Sequence, residues 1–213
     1  MVRTYIESLE AFKLIQKLFG STKRSAYRYT ENVLDKYADL IEYKYLHNSS
    51  KRLNQISTST SISFMKGLQL GSSINQVRGH FNVAPFVKAY SSKNLRRTIL
   101  LYKIKLNGQK IKIEAHFYKN ELFFSKYTLS GVTENEKLEA FKSFGTKYGI
   151  SDLDFSNKNI IDSNNNVAKI NSDSELSFSY MQLKNLFFEK MQDKTAINTE
   201  IIPSNYGIRV SVQ

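Results

Sequence analysis

Apolar and polar residues alternate along residues 102–118 on both sides of a two-residue turn. The segment reads YKIKLNGQKIKIEAHFY, with Asn-Gly at positions 107–108. Asn-Gly between alternating segments is the strongest short-range signal for a β-hairpin. We therefore predict two antiparallel strands that pair outward from Leu106 opposite Gln109. A third strand over 121–129 completes a predicted three-stranded antiparallel meander.

The predicted register sorts the hairpin side chains into two faces, because successive residues of a strand point to opposite sides. The apolar face carries Tyr102, Ile104, Ile111 and Ile113. The outer face carries Lys103, Lys105, Lys110 and Lys112. Directly opposed like charges destabilise a sheet by roughly a few tenths of a kcal/mol per pair. Two explanations remain open: the lysines prevent edge-to-edge pairing with other chains, or they bind anionic groups.

Helical spacing dominates the N-terminal part of the chain. Residues 4–19 place apolar side chains on one side and charged ones on the other, which predicts an amphipathic helix. Gly-Ser-Thr at 20–22 predicts a helix end followed by a new cap. A second helix is predicted over 26–47. Because a short turn joins the two, we predict a helical hairpin over residues 1–47.

Residues 48–65 are predicted to be a linker or an extended edge segment, since eight Ser/Thr lie within 48–63. Residues 66–213 then form an α+β domain with an antiparallel sheet. Its predicted elements are a short helix capped by Ser72 or Ser73, the meander, a helix opened by the Thr133–Glu136 capping box, and C-terminal strands. The Asn/Asp/Ser-rich residues 151–174 are interpreted as a long loop. The predicted fold class is α+β, with helices preceding an antiparallel sheet.

The segment LQLGSSINQVRGHFNVAPF, ahead of the predicted strands, resembles a segment of a known family. Gly71, Ser73, Val77 and Pro85 match the opening of the small BamE-like (SmpA/OmlA-type) module, which is similar to the β-lactamase-inhibitor-protein fold. The resemblance covers residues 66–129. It implies a helix-plus-sheet scaffold whose members bind other proteins and perform no chemistry. This chain lacks the cysteine to which the family's lipid is attached.

Positive charge is concentrated in the first half of the chain. Residues 1–110 contain 19 Lys/Arg and 6 Asp/Glu, a net charge of +13, whereas residues 111–213 contain 12 and 13, a net charge of −1. No acidic residue occurs between Glu42 and Glu114, although the 71 residues between them include 13 Lys/Arg. Such asymmetry indicates nucleic acid or another anionic partner. A plain basic fold is the alternative.

Several functional classes are disfavoured. No stretch reaches the ~18 apolar residues of a membrane span, and Glu7 and Glu10 fall where a signal peptide is uncharged. The chain has no cysteine, which excludes disulfides, thiolate metal sites and a cysteine nucleophile. We therefore expect a cytoplasmic protein without a cofactor. Common hydrolase, nucleotide-binding and zinc motifs are missing from the sequence.

Two further patterns in the sequence are weaker. Asp162, Asn164, Asn166 and Asp173 occupy EF-hand positions, but Val167 replaces the required glycine, so Asx-turns explain these residues as well and no metal is predicted. Tyrosines interleave with basic residues in the predicted helices, where they can stack on bases or roof a core, and the core interpretation is favoured. The tyrosines are Tyr27, Tyr29, Tyr43 and Tyr45.

Three functional hypotheses follow. The leading one is a non-enzymatic protein that binds a polyanion, above all nucleic acid, through a basic surface. Its predicted contacts are Arg96, Arg97, Lys103, Lys105, Lys110 and Lys112. The second is a structural or adaptor subunit of a larger assembly, such as a virion or secretion machine, that binds an acidic protein. The third is an enzyme in which His116 and Glu114 act with Asp152 and Asp154 as acid and base.

Overall fold

A computed structural model describes residues 23–52, 54–81, 85–92, 95–106, 109–150, 158–173 and 175–192. The helix predicted at 4–19 and the strand predicted at the C-terminus lie outside these residues. None of the described helices is long and apolar enough to cross a membrane.

Ten strands are present in the described part of the chain. They are β1 (Gln55–Ser57), β2 (Ser63–Met65), β3 (Leu68–Gln69), β4 (Phe86–Ser92), β5 (Leu95–Leu106), β6 (Gln109–Tyr118), β7 (Glu121–Ser130), β8 (Asn159–Ile161), β9 (Asn166–Asn171) and β10 (Leu176–Gln182). Eight of them form one sheet in the order β1-β8-β9-β10-β7-β6-β5-β4, and β2 pairs with β3. Within the large sheet β1 and β8 are parallel and the other neighbours are antiparallel.

The predicted fold, a helical hairpin followed by a three-stranded meander, is wrong. The meander β5–β6–β7 exists, but it is the centre of a larger mixed sheet, with β4 on one side and β10 on the other. Long-range pairing produces the difference, because β10 joins β7 and β1 joins β8 from distant parts of the sequence. Residues 55–57, within the segment predicted to be a linker or an extended edge segment, form the edge strand β1.

The predicted hairpin register is confirmed. Leu106 pairs with Gln109, Lys105 with Lys110, and so on to Tyr102 opposite Ile113. The predicted apolar face is the buried one, since Tyr102, Ile111 and Ile113 lie in the core. A bulge opposite His116 and Phe117 interrupts the β6–β7 ladder further along.

Four helices with defined bounds and one further helical segment cover the two faces of the sheet. They are α1 (Lys23–Lys36), α2 (Ile41–Arg52), α3 (Ile74–Phe81), α4 (Glu134–Lys147) and residues 186–192. Side chains of α3, α4 and the β2–β3 hairpin pack on one face, which we call the α3/α4 face. Side chains of α1, α2 and 186–192 pack on the other, the α1/α2 face.

The helix predicted over 26–47 is divided in two. The Asp39 carboxylate accepts a hydrogen bond from the backbone N–H of Ile41 at 2.9 Å, which caps α2. The carbonyl groups of Tyr37, Ala38 and Asp39 accept hydrogen bonds from the Arg97 guanidinium at 2.8, 2.6 and 3.1 Å. Because Arg97 donates to these carbonyl groups, they need no N–H donor from a following helical turn, and α1 can end here.

The long loop predicted over 151–174 is wrong for its described part, residues 158–173, because β8 and β9 form a hairpin there. Asp162 is buried at its turn and accepts hydrogen bonds from the backbone N–H groups of Asn164, Asn166 and Ile62, each at 2.9 Å. A carboxylate can therefore hold the turn without calcium, as the Asx-turn alternative requires. The EF-hand spacing does not form a loop, since β9 occupies its second half.

Candidate functional site

Six lysines from four strands lie on the α1/α2 face of the sheet. Lys103 pairs with Lys112 and Lys105 with Lys110 across β5 and β6. Lys112 is opposite Thr128 in β7, so Lys126, two residues away, shares its face. Ser179 of β10 pairs with Lys126 on one side and with Lys169 of β9 on the other. We call this set the lysine face: Lys103, Lys105, Lys110, Lys112, Lys126 and Lys169.

The six basic residues predicted as contacts do not all join this face. Lys103, Lys105 and Lys110 are exposed on it and Lys112 is partly exposed. Arg96 is exposed, but its position in β5 alternates with that of Lys103, so it belongs to the α3/α4 face. Arg97 points to the same side of β5 as Lys103, but it is buried, with 1% of its surface exposed.

Part of the lysine face is satisfied within the protein. The Lys112 ammonium donates to both oxygens of Glu175 at 2.9 and 3.2 Å, and Glu175 also accepts from the Ser130 hydroxyl at 2.6 Å. The Tyr29 ring of α1 lies 4.9 Å from the Lys103 ammonium and 5.3 Å from that of Lys112. Partial burial, followed by repulsion from Lys112, lowers the pKa of Lys103.

Lys126 and Lys169 differ from these residues. Within the described ranges, no carboxylate lies within 4 Å of either ammonium group. The nearest acidic neighbour in register is Glu114, which pairs with Lys126 across β6 and β7 and attracts it at longer range. Two partly exposed positive charges thus stand on either side of Ser179 without direct neutralisation.

A groove lies between α2 and this part of the sheet, with a volume of about 390 Å³. Phe124, Val167 and Met181 give it an apolar part, and Leu46 of α2 extends that part. The polar part is lined by Lys126, Lys169, Asn171, Ser177 and Ser179. Tyr45 of α2 also lines the groove and is 67% exposed, which is unusual for a large aromatic side chain.

A buried polar cluster lies beneath α1 and α2 on the same face. The His116 ring is fully buried, and its Nδ1 is 2.7 Å from the Tyr43 hydroxyl. Its Nε2 faces the Glu114 carboxylate at 3.7 Å, and the other oxygen of Glu114 accepts from the Tyr29 hydroxyl at 3.4 Å. Burial, reinforced by Arg97 and only partly offset by Glu114, lowers the pKa of His116. A neutral His116 that accepts from Tyr43 and directs Nε2–H at Glu114 fits this geometry.

This cluster does not support the enzymatic hypothesis. His116 and Glu114 do not line the groove, and 0% of the His116 surface is exposed. Asp152 and Asp154 lie outside the described residues. Across the described ranges, no group of three His, Cys, Asp or Glu side chains is placed to hold a metal ion. The chemistry of the cluster is that of a polar interior that positions α1 and α2 on the sheet.

Sequence reasoning missed two residues of the lysine face. Lys126 could have been found by extending the predicted meander register from Lys112 to Thr128, which fixes the face of Lys126. Lys169 gave no such signal, because it lies in an Asn/Asp-rich segment that resembles a loop. Its neighbours Val167 and Ile170 are spaced for opposite sides of a strand, not for one alternating apolar face.

Comparisons with protein-family models, with curated proteins and with solved structures find no match to this chain. The resemblance of residues 66–129 to the BamE-like module therefore stays a prediction about fold.

Proposed function

We propose that this protein binds a polyanion, specifically nucleic acid, through the lysine face of its sheet. The observation that supports this most is the position of Lys126 and Lys169, two ammonium groups in one row of the sheet without a carboxylate partner within 4 Å in the described chain. Lys103, Lys105 and Lys110 continue the positive surface on the same side. The chain as a whole carries a net charge of +12.

The spacing of these lysines suits the phosphates of a nucleic-acid strand. Neighbouring strands are ~4.8 Å apart and same-face residues along a strand are ~6.8 Å apart, so flexible lysines can reach successive phosphates. Neutralising those phosphates releases condensed counterions, which gives affinity without sequence recognition. Lysine supplies a diffuse point charge and lacks the planar fork with which arginine reads a base edge. We expect binding that is strongly salt-dependent and weakly dependent on base sequence.

Fluorescence anisotropy with a labelled 20-nucleotide single strand tests this proposal. Affinity should fall steeply between 50 and 200 mM salt. The double variant K105Q/K110Q should bind about tenfold more weakly at 100 mM salt and lower the salt slope by about 1.4, since each lost contact to a single strand removes about 0.7. Both residues are exposed, so the fold should be retained.

The matched control is K66Q/K142Q, which removes the same charge from the β2–β3 turn and from α4, both exposed positions that belong to the α3/α4 side. If the control weakens binding as much as K105Q/K110Q, net charge and not the lysine face is responsible. Affinity that stays flat with salt would contradict the proposal. Retention of an acidic protein from lysate after nuclease treatment, without oligonucleotide binding, would favour the adaptor alternative.

A further inference from the structure

We propose that the groove between α2 and the sheet is a subsite for one nucleotide, with the phosphate at Lys126 and Lys169 and the base against Tyr45. This inference rests on the proposed function and makes it more specific, because it assigns one place on the lysine face where a base as well as a phosphate is bound. The remaining lysines would contact the flanking phosphates.

The phosphate end of the subsite is defined by strand register. Lys126, Ser179 and Lys169 occupy one row across β7, β10 and β9. Since neighbouring strands are ~4.8 Å apart, the two lysine Cα atoms are about 10 Å apart with the serine between them. Two ammonium groups can therefore converge on one phosphate above Ser179. Among the described residues the Ser177 and Ser179 hydroxyls have no hydrogen-bond partner, so they can donate to phosphate oxygens.

The base end is defined by the apolar part of the groove. Phe124, Val167 and Met181 line it, and Tyr45, 67% exposed, lines the same groove. Stacking on an aromatic ring is available to every base and needs no particular sequence. The volume of about 390 Å³ lies within the range of small-molecule sites.

Charge at the groove supports an anionic occupant. Lys36 and Glu42 also line the groove, but they form an ion pair at 2.7 Å and largely neutralise each other. Lys126 and Lys169 are the other two charged side chains that line the groove, and Glu114 and Glu175 attract Lys126 from outside it. An acidic peptide would use these two charges but would leave the exposed Tyr45 ring and the apolar part without a planar partner. A nucleotide uses both parts of the groove.

Titration of the full chain with adenosine and uridine 5′-monophosphates, followed by amide chemical shifts, tests the subsite. We expect saturable binding, competition by inorganic phosphate, and the largest shifts at residues lining the groove. Y45A and K169Q should each weaken monophosphate binding about tenfold, whereas Y45F, which keeps the ring, should bind like the wild type. Adenosine without phosphate should bind at least tenfold more weakly than its monophosphate.

The two proposals fail in different ways. Suppose that the oligonucleotide binds with an affinity that depends on Lys105 and Lys110. If Y45A then leaves monophosphate binding unchanged, or if monophosphate binding does not saturate, the subsite is wrong and the proposed function stands. If neither ligand binds, both proposals are wrong. K66Q/K142Q should leave monophosphate affinity unchanged, since neither residue lines the groove or belongs to the lysine face. An acidic peptide that binds the groove more tightly than the monophosphates would overturn the subsite. Amide spectra and thermal melts confirm that each variant is folded.

Discussion

Arg97 shows how one buried cation determines the path of the chain above the sheet. Its guanidinium donates to three successive carbonyl groups after α1, and it lies 5.4 Å from the Tyr43 ring and 5.0 Å from the Tyr90 ring. The negative end of the α1 dipole points at the same group. A residue predicted to contact an anion therefore connects α1 and α2 to β5. Arg97 is two and four residues from Ile99 and Leu101 and therefore shares their face of β5, which is the sequence signal for its burial.

Replacing Arg97 should test this structural role. Arg97→Ala leaves three carbonyls without their donor, so we expect the free energy of unfolding to fall by about 3 kcal/mol. All three hydrogen bonds come from Nη2, so Arg97→Lys keeps the charge but loses the guanidinium contacts with the Tyr43 and Tyr90 rings, and should recover less than half of that loss. Urea unfolding measures both. A loss below about 1 kcal/mol for Arg97→Ala would contradict the role, and oligonucleotide affinity of folded variants should stay within about twofold.

Lys147, the last residue of α4, is a second partly buried cation. Its ammonium donates weakly to the Ser63 carbonyl at 3.4 Å and lies 5.0 Å from the Tyr148 ring and 5.9 Å from the Tyr180 ring. Burial lowers the pKa of Lys147 from 10.5 to about 8. At neutral pH the folded protein therefore holds this charge at a loss of stability.

The sign of the pH effect follows from proton binding. Between pH 8 and pH 10.5 the unfolded chain keeps the proton on Lys147 and the folded chain does not, so stability rises with pH in this window. Lys147→Met removes the burial penalty and should stabilise the protein most below pH 8. The difference in unfolding free energy between variant and wild type should shrink by about 2–3 kcal/mol from pH 7 to pH 10. A difference that is independent of pH would contradict the shifted pKa; Lys142→Met, at an exposed position of the same helix, is the control.

At the scale of elements, local signals decided which parts of the fold were predictable. The β5–β6–β7 meander was predictable because only two residues separate each strand from the next and the alternation of apolar and polar residues continues on both sides. The capping box was predictable because its two partners, Thr133 and Glu136, are three residues apart, and both of its hydrogen bonds are present. The order β1-β8-β9-β10 was not predictable, since no local pattern specifies which distant strand completes a sheet.

The β8–β9 hairpin illustrates an element that composition conceals. Its turn is rich in Asn and Asp because these side chains bond to the backbone, and Asp162 alone accepts three backbone N–H groups. One of them belongs to Ile62, so the turn also anchors the segment before β2. The composition of this segment is typical of a loop, but the segment is a hairpin turn in which side-chain oxygens accept hydrogen bonds from the backbone.

Removing that acceptor should destabilise the hairpin. Asp162→Ala leaves three N–H groups of a buried turn unpaired, and we expect unfolding free energy to fall by about 3 kcal/mol. Asp162→Asn keeps one acceptor oxygen, so its free energy of unfolding should fall less than that of Asp162→Ala. Hydrogen exchange should show the largest loss of protection at Ile62, Asn164 and Asn166. If exchange at these three amides is unchanged, the hydrogen bonds of Asp162 do not hold the turn.

At the scale of the whole molecule, Glu175 sets part of the net charge that the lysine face carries. It neutralises Lys112 through a partly exposed pair, which stabilises the fold little. The candidate site could be predicted in part, because hairpin register placed Lys103, Lys105, Lys110 and Lys112 on one face. Glu175, Lys126 and Lys169 enter through the pairing of β7, β10 and β9, which the sequence does not specify.

Neutralising Glu175 should strengthen polyanion binding. Glu175→Gln frees the Lys112 ammonium, so we expect oligonucleotide affinity about fivefold higher at 100 mM salt and a salt slope larger by about 0.7. Glu134→Gln breaks a comparable exposed pair with Lys137 on α4 and should change neither quantity beyond the effect of net charge. Equal gains for both variants would mean that binding follows total charge and not the lysine face.

The parallel pairing of β1 with β8 joins residues more than 100 positions apart, Gln55 with Asn159 among them. At a synthesis rate of about 5–20 residues per second, the ribosome needs roughly 5–20 s to supply the second partner after the first has emerged. Until then β1 has no template. The edge of the meander to which β10 adds stays open longer, from the completion of β7 until Leu176–Gln182 have been translated. We expect the nascent chain to be most prone to aggregation before β8 and β10 have been translated, and the groove forms only after β9 and β10 have been translated.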